Sequence, residues 1–337
     1  MKATIYDVAR EAGVSIATVS KVINEKGKIS EERRREIFAI MERLQYRPSV
    51  IASALTGKHT YTLGLLIPDI ANPFFAELAR SVEDRGHQLG YSVIICSTDN
   101  QDDRIGQYVS MLKQKQVDGL MIGTGMTNMD LLRDISAAMP TVVLGREVPD
   151  FPAHTVVAGD FGGGGLAARH LLQLGHRRMA VLAEDETISS SRDRVRGFKQ
   201  ALEDSGISLP ERDVLLCRHR MEDGKRVAAG LLSRVERPTA VFCCNDLLAA
   251  GALQAAKEAG IRVPEELSVV SFDNTILASV TDPPLTSVAQ PIELLGAGAV
   301  DLLIKEFEQA QPAKERIELR TELIVRGSTA VANATFN

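Results

Sequence analysis

Long apolar segments and cysteines are both scarce in this chain of 337 residues. No apolar run approaches the 18 residues that a transmembrane helix needs, and the amino terminus has no apolar signal core. We therefore expect a cytoplasmic protein with no membrane partner. The four cysteines, Cys96, Cys217, Cys243 and Cys244, lie in or just after apolar strand-like runs. In that compartment their placement predicts buried, reduced thiols and not disulfides.

The short patterns of metal and hydrolase sites are also missing. The sequence has no zinc-type Cys/His spacing, no Walker loop, no G-x-S-x-G and no metal-binding pair of histidines. We therefore expect no metal, no cofactor and no enzymatic activity. His176 follows Gly175 and is interpreted as a helix-end residue that contacts the last carbonyls, and not as a catalyst.

Charge is distributed unevenly, although the net charge of −5 is small. Residues 1–60 hold 11 Lys or Arg and 7 Asp or Glu, a net +4, while the remaining residues carry −9. A basic head on an acidic body is typical of a DNA-reading domain attached to a domain that stays away from phosphates. A solvated helical surface would carry the same excess, so charge alone leaves both interpretations open.

Residues 4–24 are predicted to form two short helices joined by a tight turn. Thr4 and Asp7 form a helix-start pattern. In it the Thr4 hydroxyl accepts from an unpaired backbone amide of the first turn, and the Asp7 carboxylate accepts from the backbone amide of Thr4. Gly13 ends the first helix and Ser15 begins the second. The inner stripes are Val8, Ala9 and Ala12, then Val19, Val22 and Ile23. Helices linked so closely must cross steeply, as in a helix-turn-helix.

A third helix is predicted from its cap, Ser30, to about residue 44. Its inner stripe is Ile37, Ile40, Met41 and Leu44. Three helices with so few apolar residues make a marginal core.

The stretch Thr-Ile-Tyr-Asp-Val-Ala-x-x-Ala-Gly-Val-Ser-x-x-Thr-Val-Ser-x-Val-Ile-Asn closely resembles the start of the lactose-repressor/galactose-repressor family of transcription regulators. The resemblance implies a homodimer in which each head reads one half of a pseudo-palindromic, double-stranded operator. The predicted DNA contacts of the head are Thr4, Tyr6, Ser15, Ile16, Ala17, Thr18, Ser20, Lys21, Asn24 and Tyr46. Lys21 stands where the family often has Arg, and a lysine lacks the bidentate fork that selects guanine.

Residues 49–58 resemble the hinge helix of the same family. A segment this short does not form a stable helix alone in water. In the family it orders on operator DNA, where a leucine wedges a minor-groove base step open. Leu55 holds that position and Ser53 stands where the family often has Arg; both are predicted DNA contacts. Without the helix-turn-helix motif the segment would be interpreted as a plain linker with a buried leucine.

From residue 61 onward, strand-like and helix-like segments alternate, which predicts parallel sheets with right-handed crossovers. Some ten crossover units exceed one sheet, so the body is predicted to form two doubly wound α/β lobes that bind ligands beyond the carboxyl ends of their strands. The predicted strands are 63–68, 92–96, 119–122, 141–144, 155–157, 179–182, 213–216, 239–243 and 268–272, and the predicted helices include 74–89, 161–174, 192–205, 224–234 and 247–259.

The resemblance continues through the body, for example in 68–78, 271–274 and 284–288. It implies a periplasmic-binding-protein-like (type I) body whose lobes exchange strands near 160 and 290, and the chain most resembles the degradation-activator branch. The predicted organisation is a small all-α head at 1–48, a hinge at 49–58 and an effector-binding and dimerisation domain at 59–337, with lobe one at about 60–160 and 291–322 and lobe two at about 161–290 and 323–330. The tail, 327–337, has no leucine heptad, which favours a dimer over a tetramer.

Polar residues at the predicted strand ends supply a candidate effector pocket. Carboxylates accept from sugar hydroxyls, Arg offers a planar fork, and an aromatic ring packs on a sugar face. These residues also match the family's effector pocket by position, as do Ser190 and His219. The candidates are Phe74, Asp160, Ser190, Arg194, His219, Asn245, Asp246 and Asp273. A sugar-like effector is favoured, with sugar phosphates and purines left open.

Two rival functions remain at this point. Residues 162–167 fit G-x-G-x-x-A, and Glu184 follows about twenty residues later, as in a nicotinamide-binding enzyme of the Rossmann type. An exported solute-binding protein would have the same body but no DNA-reading head. The salt dependence of DNA binding separates a regulator from both.

Overall fold

The computed structural model describes residues 3–23, 27, 29–46, 59–148, 151, 153–308 and 313–333. The chain divides into two compact units, Met1–Thr60 and Tyr61–Asn337, here called the head and the body. The predicted hinge contacts Ser53 and Leu55 and the predicted head contact Asn24 lie outside the described residues. Within the described part, no helix has both the length and the apolarity to cross a bilayer.

The head consists of three helices around a small apolar core. They are α1 (Ile5–Glu11), α2 (Ile16–Ile23) and α3 (Glu31–Arg43). Between α1 and α2, Gly13 has a φ of 62°, the left-handed conformation predicted for the turn. The predicted inner stripes are confirmed, because their side chains form one cluster with Leu44 and Ile23 at its edge.

The head helices begin with side-chain caps. Ser15 and Ser30 accept from the amides of Thr18 (3.2 Å) and Arg33 (3.4 Å), as predicted. At α1 the predicted capping box is present, with the Thr4 side chain facing the Asp7 amide and the Asp7 carboxylate accepting from the Thr4 amide at 2.9 Å. The Thr4 hydroxyl also donates to Asp7 Oδ2, at 2.7 Å, because a charged oxygen is a strong acceptor. These bonds lower the pKa of Asp7.

Lobe one of the body is built on a six-stranded, entirely parallel sheet in the order β11-β5-β4-β3-β1-β2. Its strands are β1 (Thr62–Ile67), β2 (Ser92–Ser97), β3 (Gly119–Ile122), β4 (Thr141–Leu144), β5 (His154–Ala158) and β11 (Arg316–Leu319). Its helices are α4 (Pro73–Gln88), α5 (Asp102–Gln114), α6 (Met129–Ala138) and α12 (Ile292–Glu308). Apolar clusters cover both faces of the sheet.

Lobe two is built on a second six-stranded sheet in the order β12-β10-β9-β8-β6-β7. Its strands are β6 (Met179–Ala183), β7 (Val214–Leu216), β8 (Ala240–Cys243), β9 (Ser268–Asp273), β10 (Thr286–Ala289) and β12 (Glu322–Ile324). Its helices are α7 (Asp160–Gln173), α8 (Ser189–Glu203), α9 (Met221–Leu232), α10 (Asp246–Glu258) and α11 (Ile276–Val280), with a 3-10 turn at Glu211–Asp213.

The predicted fold class is confirmed, with one refinement at the edge of lobe two. All nine predicted strands are present, within one residue at each end. Three further strands, β10, β11 and β12, were not among them, and β12 pairs antiparallel with β10. β11 and β12 lie at the edges of their sheets and are partly exposed, so they lack the apolar runs that mark the buried strands. The chain passes between the lobes after β5, after β10 and between β11 and β12.

All four cysteines are buried and free, as predicted. His176 contacts a last carbonyl of α7, as predicted, since its backbone amide donates to the Leu171 carbonyl oxygen at 3.1 Å. Its ring makes further contacts: Nδ1 lies 2.9 Å from Thr239 Oγ1, and Nε2 lies 3.0 Å from Ser268 Oγ and 3.1 Å from the Ala330 carbonyl oxygen. The ring is buried, which lowers its pKa, and it joins β8, β9 and the chain terminus.

The glycine tract serves helix packing. It lies inside α7 and not in the loop before it. A Cβ on Gly164 would lie 2.0 Å from the Arg194 carbonyl oxygen, and a Cβ on Gly197 would lie 1.8 Å from that of Phe161. The two glycines therefore let the backbones of α7 and α8 touch, which explains the pattern without a nucleotide.

Candidate effector pocket and DNA-reading surface

The outer face of α2 is the candidate recognition surface of the head. Ile16, Ala17 and Lys21 are exposed, and Thr18 and Ser20 are half-buried. The Ser15 and Thr18 hydroxyls lie 2.9 Å apart, which fixes both at the start of the helix. The face thus presents one cation and a row of small groups, a set able to approach base edges and phosphates closely.

The two tyrosines predicted as head contacts differ in their surroundings. Tyr6 is 64% exposed on α1. Tyr46 is half-buried against the apolar cluster of the head, and burial raises its pKa. Tyr6 therefore presents its ring to solvent, while Tyr46 mainly completes the core.

In the body, a small cavity lies between the lobes where strands of both sheets end. It measures about 60 Å³. This is well below the roughly 300–1,000 Å³ of typical ligand sites, so a sugar-sized molecule enters only if the lobes separate or the lining shifts. The lining residues are Pro68, Phe74, Phe75, Asn100, Gly123, Gly125, Gly145, Arg146, Glu184, Ile188, Ser189, Ser190, Arg194, His219 and Asp273.

Arg194 of α8 forms the centre of the polar network in lobe two. Its Nε donates to Asp160 Oδ1 at 2.7 Å, and its Nη1 donates to the Cys244 carbonyl at 2.6 Å and to Asp273 Oδ1 at 3.3 Å. The guanidinium carbon lies 3.8 Å from the centre of the Phe272 ring. This packing holds the fork in one orientation, so the predicted grouping of Asp160, Arg194 and Asp273 is present.

Two buried carboxylates share that single guanidinium. Burial raises the pKa of Asp160 to about 6 and that of Asp273 to about 7, with Arg194 opposing the rise in both cases. Burial lowers the pKa of Arg194, but the charges of Asp160 and Asp273 have the larger effect, so the net result is a raised pKa. The cluster therefore keeps its cation and takes up a proton on a carboxylate near neutral pH.

His219 connects the two lobes. Its Nδ1 contacts Glu184 of lobe two, and its Nε2 contacts Asn72 of lobe one. Burial opposes the charged form of His219, but the Glu184 carboxylate has the larger effect and raises the pKa of His219. Burial also opposes the charged form of Glu184, but the His219 imidazole has the larger effect and lowers the pKa of Glu184. Asn72 also caps α4, since its Oδ1 accepts from the Phe74 amide at 3.0 Å. A second bridge joins the Glu147 amide to Ser189 Oγ at 3.1 Å.

The structure places Asp246 outside the cavity. Oδ1 accepts from the hydroxyls of Ser271 (2.6 Å) and Ser287 (3.2 Å), and Oδ2 accepts from the amide (2.7 Å) and hydroxyl (2.9 Å) of Thr275. Asn245 caps α10 by accepting from the Leu248 amide at 2.9 Å. Both residues follow β8, but their side chains turn into lobe two and fix its loops.

Sequence reasoning missed several polar residues around the cavity. Asn72, Arg146 and Gln290 were not candidates, and Glu184 was noticed only for its spacing from the glycine tract. Gln290 Nε2 donates to Asp273 Oδ1 at 2.7 Å. Asn72 and Arg146 follow the carboxyl ends of β1 and β4 in lobe one, and this position at strand ends is the sequence signal that points to them.

A larger open groove of about 630 Å³ lies elsewhere on lobe two. Arg178, Asp213 and Pro238 mark its position at the amino ends of β6, β7 and β8. Doubly wound sheets bind ligands at the opposite, carboxyl edge. The smaller interlobe cavity is therefore the candidate site.

Comparisons with known proteins agree with both units. Residues 4–49 match the family model of bacterial regulatory proteins, lacI family, and residues 168–329 match that of the periplasmic binding protein-like domain. The HTH-type transcriptional regulator DegA of Bacillus subtilis (strain 168) is 44% identical over 337 residues, which covers 99% of this chain and 100% of the relative.

Solved structures show the same architecture. The lac repressor dimer bound to operator and the anti-inducer ONPF has a TM-score of 0.88 and 30% identity, covering 98% of this chain and 100% of that one. A LacI family transcriptional regulator from Enterococcus faecium with bound ribose has a TM-score of 0.74 and 32% identity, covering 81% of this chain and 100% of that one.

A helix-turn-helix head and a two-lobed body with a charged interlobe cavity define a DNA-binding regulator with an effector-binding domain. Its relatives are named as transcription regulators, and its sequence matches theirs from end to end. The chain belongs to the lacI family of bacterial regulatory proteins.

Proposed function

We propose that the protein is an operator-binding repressor that works as a homodimer and responds to a small molecule held between its lobes. The observation that carries the effector assignment is the Arg194 cluster, where one guanidinium binds Asp160 at 2.7 Å and Asp273 at 3.3 Å at the carboxyl edge of the sheet. A buried ionic group contributes little net stability compared with an apolar core, so its position beside a cavity favours a role in binding.

The head contacts follow from the exposed face of α2. Ile16, Ala17 and Lys21 are proposed to enter the major groove, with Ser15, Thr18 and Ser20 beside them, Tyr6 on α1 and Thr4 at the cap of α1. The other proposed contacts, which follow from the family resemblance, are Asn24, Tyr46, Ser53 and Leu55. Two heads related by a two-fold axis would read two half-sites.

Lobe separation is the proposed link between effector and DNA. A ligand larger than the 60 Å³ cavity must displace the bridges between Asn72 and His219 and between Glu147 and Ser189. In a dimer, a change in lobe angle alters the spacing of the two heads. Coupling of about 1–3 kcal/mol would change operator affinity by about 5- to 150-fold.

We further propose that the protein catalyses no reaction and acts in the cytoplasm, where chromosomal DNA lies. Two features support the first point. The charged groups of lobe two at the cavity are bound to one another, and the relatives are named as regulators.

The test begins with selection of operator DNA from a random pseudo-palindromic library by the full chain. Binding should weaken steeply as salt rises, because phosphate contacts release counterions. Sugars, sugar phosphates and purines are then screened for release or tightening of the selected DNA. Failure to retain any palindromic DNA at low salt would refute the proposed function.

Arg194→Gln should retain operator binding and lose the effector response. The matched control is Arg196→Gln on the same helix, since the Arg196 side chain is 65% exposed and pairs with Asp193. An Arg194→Gln protein that keeps its secondary structure and still responds fully would remove Arg194 from the site.

Leu55→Ala should reduce DNA bending and leave effector affinity unchanged.

A further inference from the structure

We propose that the effector carries an acidic group, a phosphate or a carboxylate, which Arg146 of lobe one binds. The inference rests on the proposed function, because it assigns a ligand class to the same interlobe cavity.

Arg146 differs from the other charged residues that line the cavity, because it forms no ion pair with any residue that the structure describes. Arg194 pairs with Asp160 and Asp273, and His219 pairs with Glu184. Arg146 Nη1 donates to the Thr124 carbonyl oxygen at 2.7 Å, but its buried Nε has no hydrogen-bond partner among the described residues. No carboxylate of the described chain forms an ion pair with it.

The acidic residue whose charge acts on Arg146 forms its own hydrogen bonds with other groups. The charge of Asp102 acts on Arg146, yet Asp102 accepts from the Thr127 amide at 3.1 Å, the Thr127 hydroxyl and the Asn128 amide at 3.0 Å. Burial lowers the pKa of Arg146 despite that charge. Arg146 is half-buried and its Nε has no hydrogen-bond partner among the described residues, so an anionic ligand that accepts from the guanidinium would offset the cost of burying it.

The wall contributed by lobe two also suits an anion. The 15-residue helix α8 begins at Ser189 after Ile188, which offers no side-chain cap. The first-turn amides of a helix carry partial positive charge. Ile188, Ser189 and Ser190 line the same cavity as Arg146, so an acidic group there would be held from both lobes.

The carboxylates in the cavity specify the remainder of the ligand. Glu184 pairs with His219, and Asp273 shares Arg194 with Asp160. Burial raises the pKa of Asp160 to about 6 and that of Asp273 to about 7, which reduces the negative charge that faces an anion. The remaining lone pairs of Glu184 and Asp273 accept from hydroxyl groups. Phe74 and Phe75 supply apolar surface. The chemistry fits a polyhydroxylated compound with one acidic end, such as a sugar phosphate or a sugar acid.

The experiment measures ligand affinity of the full chain by calorimetry for matched neutral, phosphorylated and carboxylated sugars. The panel is ribose with ribose 5-phosphate, and glucose with glucose 6-phosphate and glucuronate, with inorganic phosphate alone as a further probe. At least one acidic sugar should bind tenfold or more tightly than its neutral parent. The phosphate and carboxylate arms identify the acidic group.

Arg146→Gln should weaken the preferred acidic sugar at least tenfold and change affinity for neutral sugars less than twofold. Arg146→Lys, which keeps the charge, should retain most of the affinity. This variant shows whether the weaker binding of Arg146→Gln comes from loss of the charge or from a folding defect. Arg133→Gln is the surface control, because the Arg133 side chain is 69% exposed.

Three results would overturn the inference: neutral sugars that bind as tightly as acidic ones, an Arg146→Gln protein with unchanged preference, or no binding by any panel member. Operator binding by the same preparation separates these results from failure of the proposed function. A protein that binds its operator and is released by a neutral compound refutes only the acidic-group assignment.

Discussion

The head and the body bury different kinds of residue. The head buries an apolar cluster that includes Val8, Val19 and Ile37, and most of its candidate DNA contacts are exposed or half-buried. The body also has apolar cores, but it buries Arg194, Asp160 and Asp273 together at its candidate site. A change at the recognition surface should therefore alter binding with little effect on folding, whereas most changes at the effector site alter both.

The largest expected effect concerns the helix contact that supports the body site. Gly197→Ala places a Cβ 1.8 Å from the Phe161 carbonyl oxygen, and backbone cannot move aside as a side chain would. We expect a loss of more than about 3 kcal/mol in the free energy of unfolding of the body. Thermal unfolding measures it. Gly162→Ala, at an open position of α7, is the control and should be neutral or slightly stabilising.

Next in size is a core truncation in the head. Ile37 is fully buried, so Ile37→Ala should cost about 3 kcal/mol and unfold the head while the body melts unchanged. Phe38→Ala on the same helix is the control, because Phe38 is 45% exposed. Circular dichroism and operator binding report the head. Equal loss of DNA binding in both variants would contradict the assigned core.

A pH effect distinguishes the body from the head. Burial raises the pKa of Asp273 to about 7 and the Glu184 charge raises that of His219 despite burial. The folded body then binds more protons than the unfolded chain, so these groups stabilise it at low pH and this stability is lost as pH rises from about 4 through 7. The melting temperature of the body should fall over that range, and Asp273→Asn should flatten the fall.

The control for the pH effect is Asp130→Asn, whose parent side chain is 87% exposed. It should leave the slope of melting temperature against pH unchanged. An Asp273→Asn protein with the parent's slope would show that Asp273 is ionised throughout the range.

The smallest expected effect is the loss of a helix cap in the head. Ser30 accepts from the Arg33 amide at 3.4 Å, and Ser30→Ala should cost about 1 kcal/mol. Chemical denaturation of the head measures this loss. Because Ser30 is not a proposed DNA contact, operator affinity under native conditions should stay within about twofold; a larger loss would place Ser30 at the interface.

Most of the head could be predicted from sequence because its determinants are local. Gly13, Ser15 and Ser30 set the turn and the caps through contacts with residues a few positions away. Strand and helix alternation predicted nine strands of the body for the same reason. Strands β10 to β12 depend on pairing partners distant in the sequence, and they were missed.

Sequence by itself determined the helix-turn-helix, the two α/β lobes and the grouping of Arg194 with Asp160 and Asp273, because periodicity, caps and strand ends are encoded over a few residues. Only the tertiary structure decided how the charges pair. It turns Asp246 inward to Ser271 and Thr275, brings His219 to Asn72 across the lobes and leaves the Arg146 Nε without a hydrogen-bond partner among the described residues. Those outcomes depend on which side chains meet when strand ends far apart in the sequence converge, and on how strongly burial penalises each unpaired charge.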